Sequence, residues 1–142
     1  MRRSVLLAAV LLAVLAPVAD AARGDKLKLG VERSACASGA LDEDRFAEFT
    51  ATMPARAGTE RMAMRFSLFE RGGGGWIRLR DVPGFDGWER SERRRSGFVF
   101  TKRVEALEVG KRYMVRVRFR WNDHDGDVQR RATRRSPSCL ID

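Results

Sequence analysis

The sequence predicts an all-β protein, a single seven-stranded antiparallel β-sandwich, preceded by the helix of a signal peptide. Beyond residue 26, apolar residues recur at every second position, the period of strands with one buried face, and no stretch holds a 3.6-residue period. Glycine, proline and aspartate clusters interrupt that alternation at short intervals, as turns between strands do. One apolar leader stands apart from the pattern at the start of the chain. A closed barrel is the alternative arrangement of the same strands.

The leader divides into three regions. Arg2 and Arg3 supply positive charge, and Ser4 to Val18 is almost entirely aliphatic and alanine. That run is shorter than the roughly 20 residues that cross a bilayer. Ala19-Asp20-Ala21 then gives the small-x-small pattern of a signal-peptidase site. A buried core helix or a membrane anchor is the competing reading. The expected organisation is a signal peptide over residues 1–21, an N-terminal segment with the first strand over 22–35, and a sandwich body over 36–139. A secreted product, extracellular or periplasmic and without a membrane span, follows from this reading.

The strands follow in order. Leu27, Leu29 and Val31 form a short opening strand, and Ala47, Phe49, Ala51 and Met53 alternate with Glu48, Thr50 and Thr52 in a second. Met62, Met64, Phe66 and Leu68 alternate with Arg61, Ala63, Arg65 and Ser67 in a third. Ile77 with Leu79, and Phe98 with Phe100 and Val104, make the next two. The clearest is Tyr113, Val115, Val117, Phe119 and Trp121 interleaved with Arg112, Met114, Arg116, Arg118 and Arg120, and Val128 to Arg134 supplies a weaker last strand. Turn residues separate them at Pro54 to Gly58, Gly72 to Gly75, Pro83-Gly84 and Asp125-Gly126. The segment from Phe85 to Arg95 fits no strand and reads as a solvated excursion carrying Trp88 on its surface.

Charge and cysteine content narrow the class. The chain carries 28 basic and 19 acidic residues. Removing Arg2, Arg3 and Asp20 with the leader leaves 26 against 18, a net charge of +8. Lysine occurs only at Lys26, Lys28, Lys102 and Lys111, so nearly all of this charge is arginine, through codon bias or through selection for anion contacts. Cys36 and Cys139 are expected to pair in an oxidising compartment. There is no Cys-x-x-Cys, and two cysteines with one histidine cannot complete a four-ligand zinc site. Ser34-Ala35-Cys36 is similar to a lipoprotein acylation site but lies too far beyond the apolar run.

Leu107, Gly110, Tyr113, Val115 and Val117, followed by a polar turn at Gly126, resemble the E–F corner and F strand of a fibronectin type III domain. The resemblance implies an immunoglobulin-like sandwich in which Tyr113 forms a tyrosine corner, its ring in the core and its hydroxyl bonded to backbone a few residues upstream. It also implies adhesion, spacing or ligand display, and no catalytic residues. The tryptophan expected near the end of strand B is absent, Phe49 and Met53 standing there, and a Cys36–Cys139 link is not a trait of that family.

The expected contact surface is an arginine ladder. Arg112, Arg116, Arg118 and Arg120 share one strand face, and Arg61 and Arg65 join them if the fibronectin-like order makes the two strands neighbours. Guanidinium forks bind phosphate and carboxylate bidentately, so an exposed array suits an anionic polymer: cell-envelope phosphate polymers, acidic glycans, lipid headgroups or extracellular nucleic acid. Another extracellular protein is a further expected partner. A solvated face screened by nearby carboxylates, in an exported structural protein without a ligand, is the rival. Nucleic acid is disfavoured because the aromatics of the last long strand point away from its arginines.

Other motifs carry less. Asn122 to Asp127 crowds oxygen ligands, but the spacing is not that of an EF-hand, and a type I′ turn at Asp125-Gly126 explains it, so no metal or other cofactor is expected. Arg23-Gly24-Asp25 is a short adhesion-type tripeptide. The single histidine, His124, sits on that turn, so no triad or histidine metal site can be assembled around it, and no enzyme activity is expected.

Overall fold

The computed structural model describes residues 26–142. The leader and the Arg23-Gly24-Asp25 tripeptide lie outside the described residues. Nine strands follow: β1 (Gly30–Ala37), β2 (Phe46–Pro54), β3 (Arg61–Arg71), β4 (Trp76–Arg78), β5 (Trp88–Arg90), β6 (Gly97–Val104), β7 (Arg112–Asn122), β8 (Val128–Arg135) and β9 (Cys139–Leu140). A single turn of 3₁₀ helix at Asp42–Asp44 joins β1 to β2. All strand pairs are antiparallel. One sheet has the order β1-β2-β6, and the other the order β4-β3-β7-β8, with β5 added to β3 and β9 to β7.

The two sheets enclose one core in a sandwich-like arrangement. β2 buries Ala47, Phe49, Ala51 and Met53, and the longer strands bury Met62, Met64, Phe66 and Leu68 from β3 and Tyr113, Val115, Val117, Phe119 and Trp121 from β7. Strict alternation on all three strands puts every one of these side chains on an inner face. The β6 residues Phe98, Phe100 and Val104 pack against the same cluster while remaining half-buried. Trp121 satisfies its indole N–H by donating to the Pro54 carbonyl at 2.7 Å, which lets the largest core side chain be fully buried.

The expectation of seven strands is corrected to nine, for reasons that lie at the edges of the larger sheet. The outer edge of β3 is completed piecewise: β4 pairs with Phe69 to Arg71, Leu79 N–H donates to Leu68 O, Asp86 N–H donates to Phe66 O, and β5 pairs with Ala63 to Arg65. Backbone polar groups on a partly buried edge need partners, and short segments supply them without any hydrophobic period of their own. The Phe85 to Arg95 segment is therefore not a solvated excursion. It contains β5, and its Trp88 is half-buried against the sheet.

Two serines close the remaining gaps in the same manner. Met62 N–H donates to Ser91 Oγ (3.0 Å) while Ser91 N–H donates to Met62 O (2.9 Å). On the far edge of β7, Val115 N–H donates to Ser136 Oγ and Ser136 N–H to Val115 O, both at 3.0 Å. Both serines are buried.

The opening strand begins at Gly30 rather than Leu27. Leu29 and Val31 pack on the core as expected, whereas Leu27 lies over Gly97, where an added Cβ would stand 2.1 Å from Leu27 Cδ1. The hairpin between β7 and β8 also differs from expectation. Only Gly126 has positive φ (89°), so the turn is not type I′. Asp123 Oδ1 accepts from the N–H groups of Asp125 and Asp127, and Gly126 N–H donates to Asp123 O, which makes an Asx-stabilised turn ending in a left-handed glycine.

Cys36 on β1 and Cys139 on β9 form a disulfide with Cα atoms 5.5 Å apart. It links the edge of the smaller sheet to the larger one, across 103 residues of chain. Among the described residues, no helix is long and apolar enough to cross a membrane.

Candidate functional site: an arginine-lined sheet face

β3 and β7 are direct neighbours over their full length, and the register puts arginines opposite arginines. Arg65 pairs with Arg118 and Arg71 with Arg112, while Arg61 lies opposite Asn122 and Ser67 opposite Arg116. Directly paired residues project from the same side of a sheet. Because the odd positions of β3 and even positions of β7 are the alternates of the core residues, this side is the outer one. All six arginines expected from the sequence, Arg61, Arg65, Arg112, Arg116, Arg118 and Arg120, therefore stand on one face.

The neighbouring strands enlarge it. β8 adds Arg131 opposite Arg120 and Arg135 opposite Arg116, β4 adds Arg78 opposite Phe69, and β5 adds Arg90 opposite Ala63. Three aromatics belong to the same face: Phe69, Trp76 opposite Arg71, and Trp88 opposite Arg65. The aromatics of β7 point away from its arginines as expected, and the aromatics beside those arginines come from β3, β4 and β5. Arg131 and Arg135 share a period of two that was visible in the sequence. Arg78 falls between Ile77 and Leu79 of an expected strand, whereas Arg90 had no such signal, since the three-residue β5 carries no readable period.

Like charges directly opposite one another destabilise a sheet, so something must offset them. Carboxylates do so at one point only: among the described residues, Arg78 is the sole arginine of this face in an ion pair, its Nη2 2.6 Å from Asp86 Oδ1. Aromatic rings serve two others. The Arg120 guanidinium lies 4.0 Å from the centre of the Trp88 ring and that of Arg116 4.9 Å from Phe69. Burial pushes the Arg116 pKa down, and the charges of Arg118, Arg78 and Arg135 push it further the same way. Asp86 moves oppositely: burial works against its charged form, but hydrogen bonds from Ser67 and Arg78 and the charges of Arg78 and Arg65 hold its pKa below the ordinary value of 3.8. The Nε groups of Arg65, Arg78 and Arg116 are buried without a hydrogen-bond acceptor among the described residues.

At one end of the face, a cleft of about 290 Å³ opens where the start of β3, the β5 segment and the β7–β8 hairpin converge. Trp88, Arg61, Arg90 and Arg120 line it from the sheet, Glu60 and Arg93 from the rim, and Asn122 to Gly126 from the hairpin. Glu60 is fixed by its backbone, its N–H donating to Asn122 O and its O accepting from Arg94 N–H, both at 2.8 Å. Its side chain is only 12 % exposed, and Oε1 has no hydrogen-bond donor, Arg93 Nε standing 3.9 Å away.

The corner residues lie at the opposite end. Tyr113 and Leu107 are buried, and the Tyr113 hydroxyl accepts from Glu108 N–H at 3.0 Å and donates to Glu70 Oε2 at 3.3 Å. Burial and the Glu70 charge raise the Tyr113 pKa above 10.0, against the opposing effect of the Glu108 N–H. Gly110 takes φ +82° and its N–H donates to Ile141 O at 2.6 Å. Lys111 bridges Glu108 and Glu70, whose carboxylates hold its pKa above the ordinary lysine value.

His124 is exposed at the hairpin tip, and among the described residues no group of three or more His, Cys, Asp or Glu side chains is placed to hold a metal ion. Fold and face together define a class: a small, disulfide-closed protein of two antiparallel sheets, one of which presents a cationic outer surface. Compared with protein-family models, curated proteins and solved structures, the chain has no match.

Proposed function

We propose that this protein is an exported, non-catalytic binding module that holds anionic polymers on the outer face of its larger sheet. The observation that carries the reading is the absence, among the described residues, of any carboxylate partner for Arg61, Arg65, Arg71, Arg112, Arg116, Arg118, Arg120 and Arg131. A merely solvated face would be expected to interleave charges of both signs, as the rest of this surface does with Arg103 between Glu48 and Glu105. Unpaired guanidiniums on a flat strand surface instead concentrate positive potential and offer fork-shaped donors to phosphate, sulfate or carboxylate.

Export is supported by the leader and by the disulfide, which suits an oxidising compartment. The strand orders β1-β2-β6 and β4-β3-β7-β8 and the Tyr113 hydroxyl bonded to Glu108 N–H support a fibronectin type III-like domain.

The test is retention on an anionic matrix over a salt gradient. Arg112→Gln/Arg118→Gln/Arg131→Gln removes three exposed charges from the face, and Lys28→Gln/Arg130→Gln/Arg134→Gln removes the same charge elsewhere. Elution of the first variant well before the second supports a focused site. Co-elution of the two returns the face to an ordinary solvated surface.

A further inference from the structure

We propose that the cleft beside Trp88 seats one sugar ring, making the polymer on the arginine face an acidic polysaccharide rather than a polynucleotide. This rests on the anion-binding reading of the face, which ends at the cleft with Arg61 and Arg120 common to both. The cleft differs from the ladder in chemistry. The ladder offers donors alone, whereas the cleft is lined by Arg61, Arg90 and Arg93 together with the acidic residues Glu60 and Asp125. A hydroxyl both donates and accepts, so a ring bearing several of them is satisfied by alternating guanidinium and carboxylate groups. A phosphodiester only accepts, so it offers those two carboxylates no donor.

Glu60 is the sharper indication. Its Oε1 receives no hydrogen bond and stands 3.9 Å from Arg93 Nε, while Oε2 accepts from Arg94 Nε at 3.4 Å and the backbone is tied on both sides. A turn of the Glu60 side chain toward the cleft would bring Oε1 to its surface, where a sugar hydroxyl supplies the donor it lacks. Trp88 supplies the apolar wall. One side of its ring is already covered by Arg120, which leaves a surface against which the C–H face of a sugar packs, not an open platform between two bases. The 290 Å³ volume lies at the small end of ligand pockets and suits a single ring.

The purified, disulfide-bonded protein is titrated with a galacturonate hexamer, a heparin hexasaccharide and a ten-residue oligothymidylate, following tryptophan fluorescence and calorimetry. At least one of the two oligosaccharides is expected to bind about tenfold more weakly to Trp88→Ala and to Glu60→Gln than to wild type. Oligothymidylate affinity is expected to fall only in the Arg112/Arg118/Arg131 variant. Glu60→Gln preserves shape, so it decides the matter if Trp88→Ala disturbs β5. Equal oligosaccharide affinity in wild type and Glu60→Gln overturns the cleft assignment while leaving the ladder standing. Oligothymidylate binding that depends on Trp88 overturns it in favour of base stacking. Loss of Trp88-dependent binding alone, with matrix retention intact, separates failure of the cleft from failure of the face.

Discussion

At Tyr113 a single hydroxyl serves two partners, accepting from Glu108 N–H and donating to Glu70. Tyr113→Phe is expected to cost about 1–2 kcal/mol in urea denaturation, the worth of a lost hydrogen bond with one orphaned donor that water can still reach. The raised Tyr113 pKa adds a pH signature. Its contribution to stability is complete below about pH 10 and is lost as pH rises through its folded value, so the alkaline fall in urea midpoint should be shallower in Tyr113→Phe. Asp86 gives the opposite sign. Its depressed pKa adds stability that is present above about pH 4 and lost as pH falls through the folded value, so wild type and Asp86→Asn should converge in stability on acidification. These residues differ in how visible they were. Tyr113, Leu107 and Gly110 stand in a local pattern, whereas the roles of Glu70 and Asp86 depend on partners on other strands, which no local pattern reveals.

Among the elements, β2, β3, β6 and β7 were legible because each has one face in the core and one in water, and a period of two records that directly. β4 was read from Ile77 and Leu79, although Ile77 proves to be exposed, whereas β5 and β9 were not legible, since segments of two or three residues are held by backbone pairing with a neighbour rather than by a hydrophobic period. Ser91 and Ser136 make the point testable. Ser91→Ala should speed hydrogen exchange of the Met62 amide, and Ser136→Ala that of the Val115 amide, each with a stability loss of about 1–2 kcal/mol. Unchanged exchange at both amides would mean that the serine hydroxyls do not stand in for missing strand partners. The same edge segments complete the arginine face. Six of its arginines could be read from two long strands, but Trp88, Arg90 and the cleft they border became evident only once β5 was placed beside β3.

For the molecule as a whole, the two sheets present unlike outer surfaces. The smaller one exposes Thr50, Thr101 and Ser34 joined by hydroxyl contacts of 2.8 and 3.0 Å, and the larger exposes its guanidiniums. Sheet topology alone does not dictate that contrast; it follows from which residues occupy the outward positions. The disulfide acts at this scale too. Closing a loop of this length should stabilise the protein by about 4–5 kcal/mol in the chain-entropy model, so Cys36→Ala/Cys139→Ala should unfold at a markedly lower urea concentration. There is also a mechanical side to the bond. A pull applied to the chain before position 36 and after position 139 is carried by a covalent link, and the strands between them bear none of the load. Tension can peel away only the first residues of β1 and the short segment after Cys139, so the folded body, arginine face included, would hold its shape under forces that unravel an uncrosslinked sandwich.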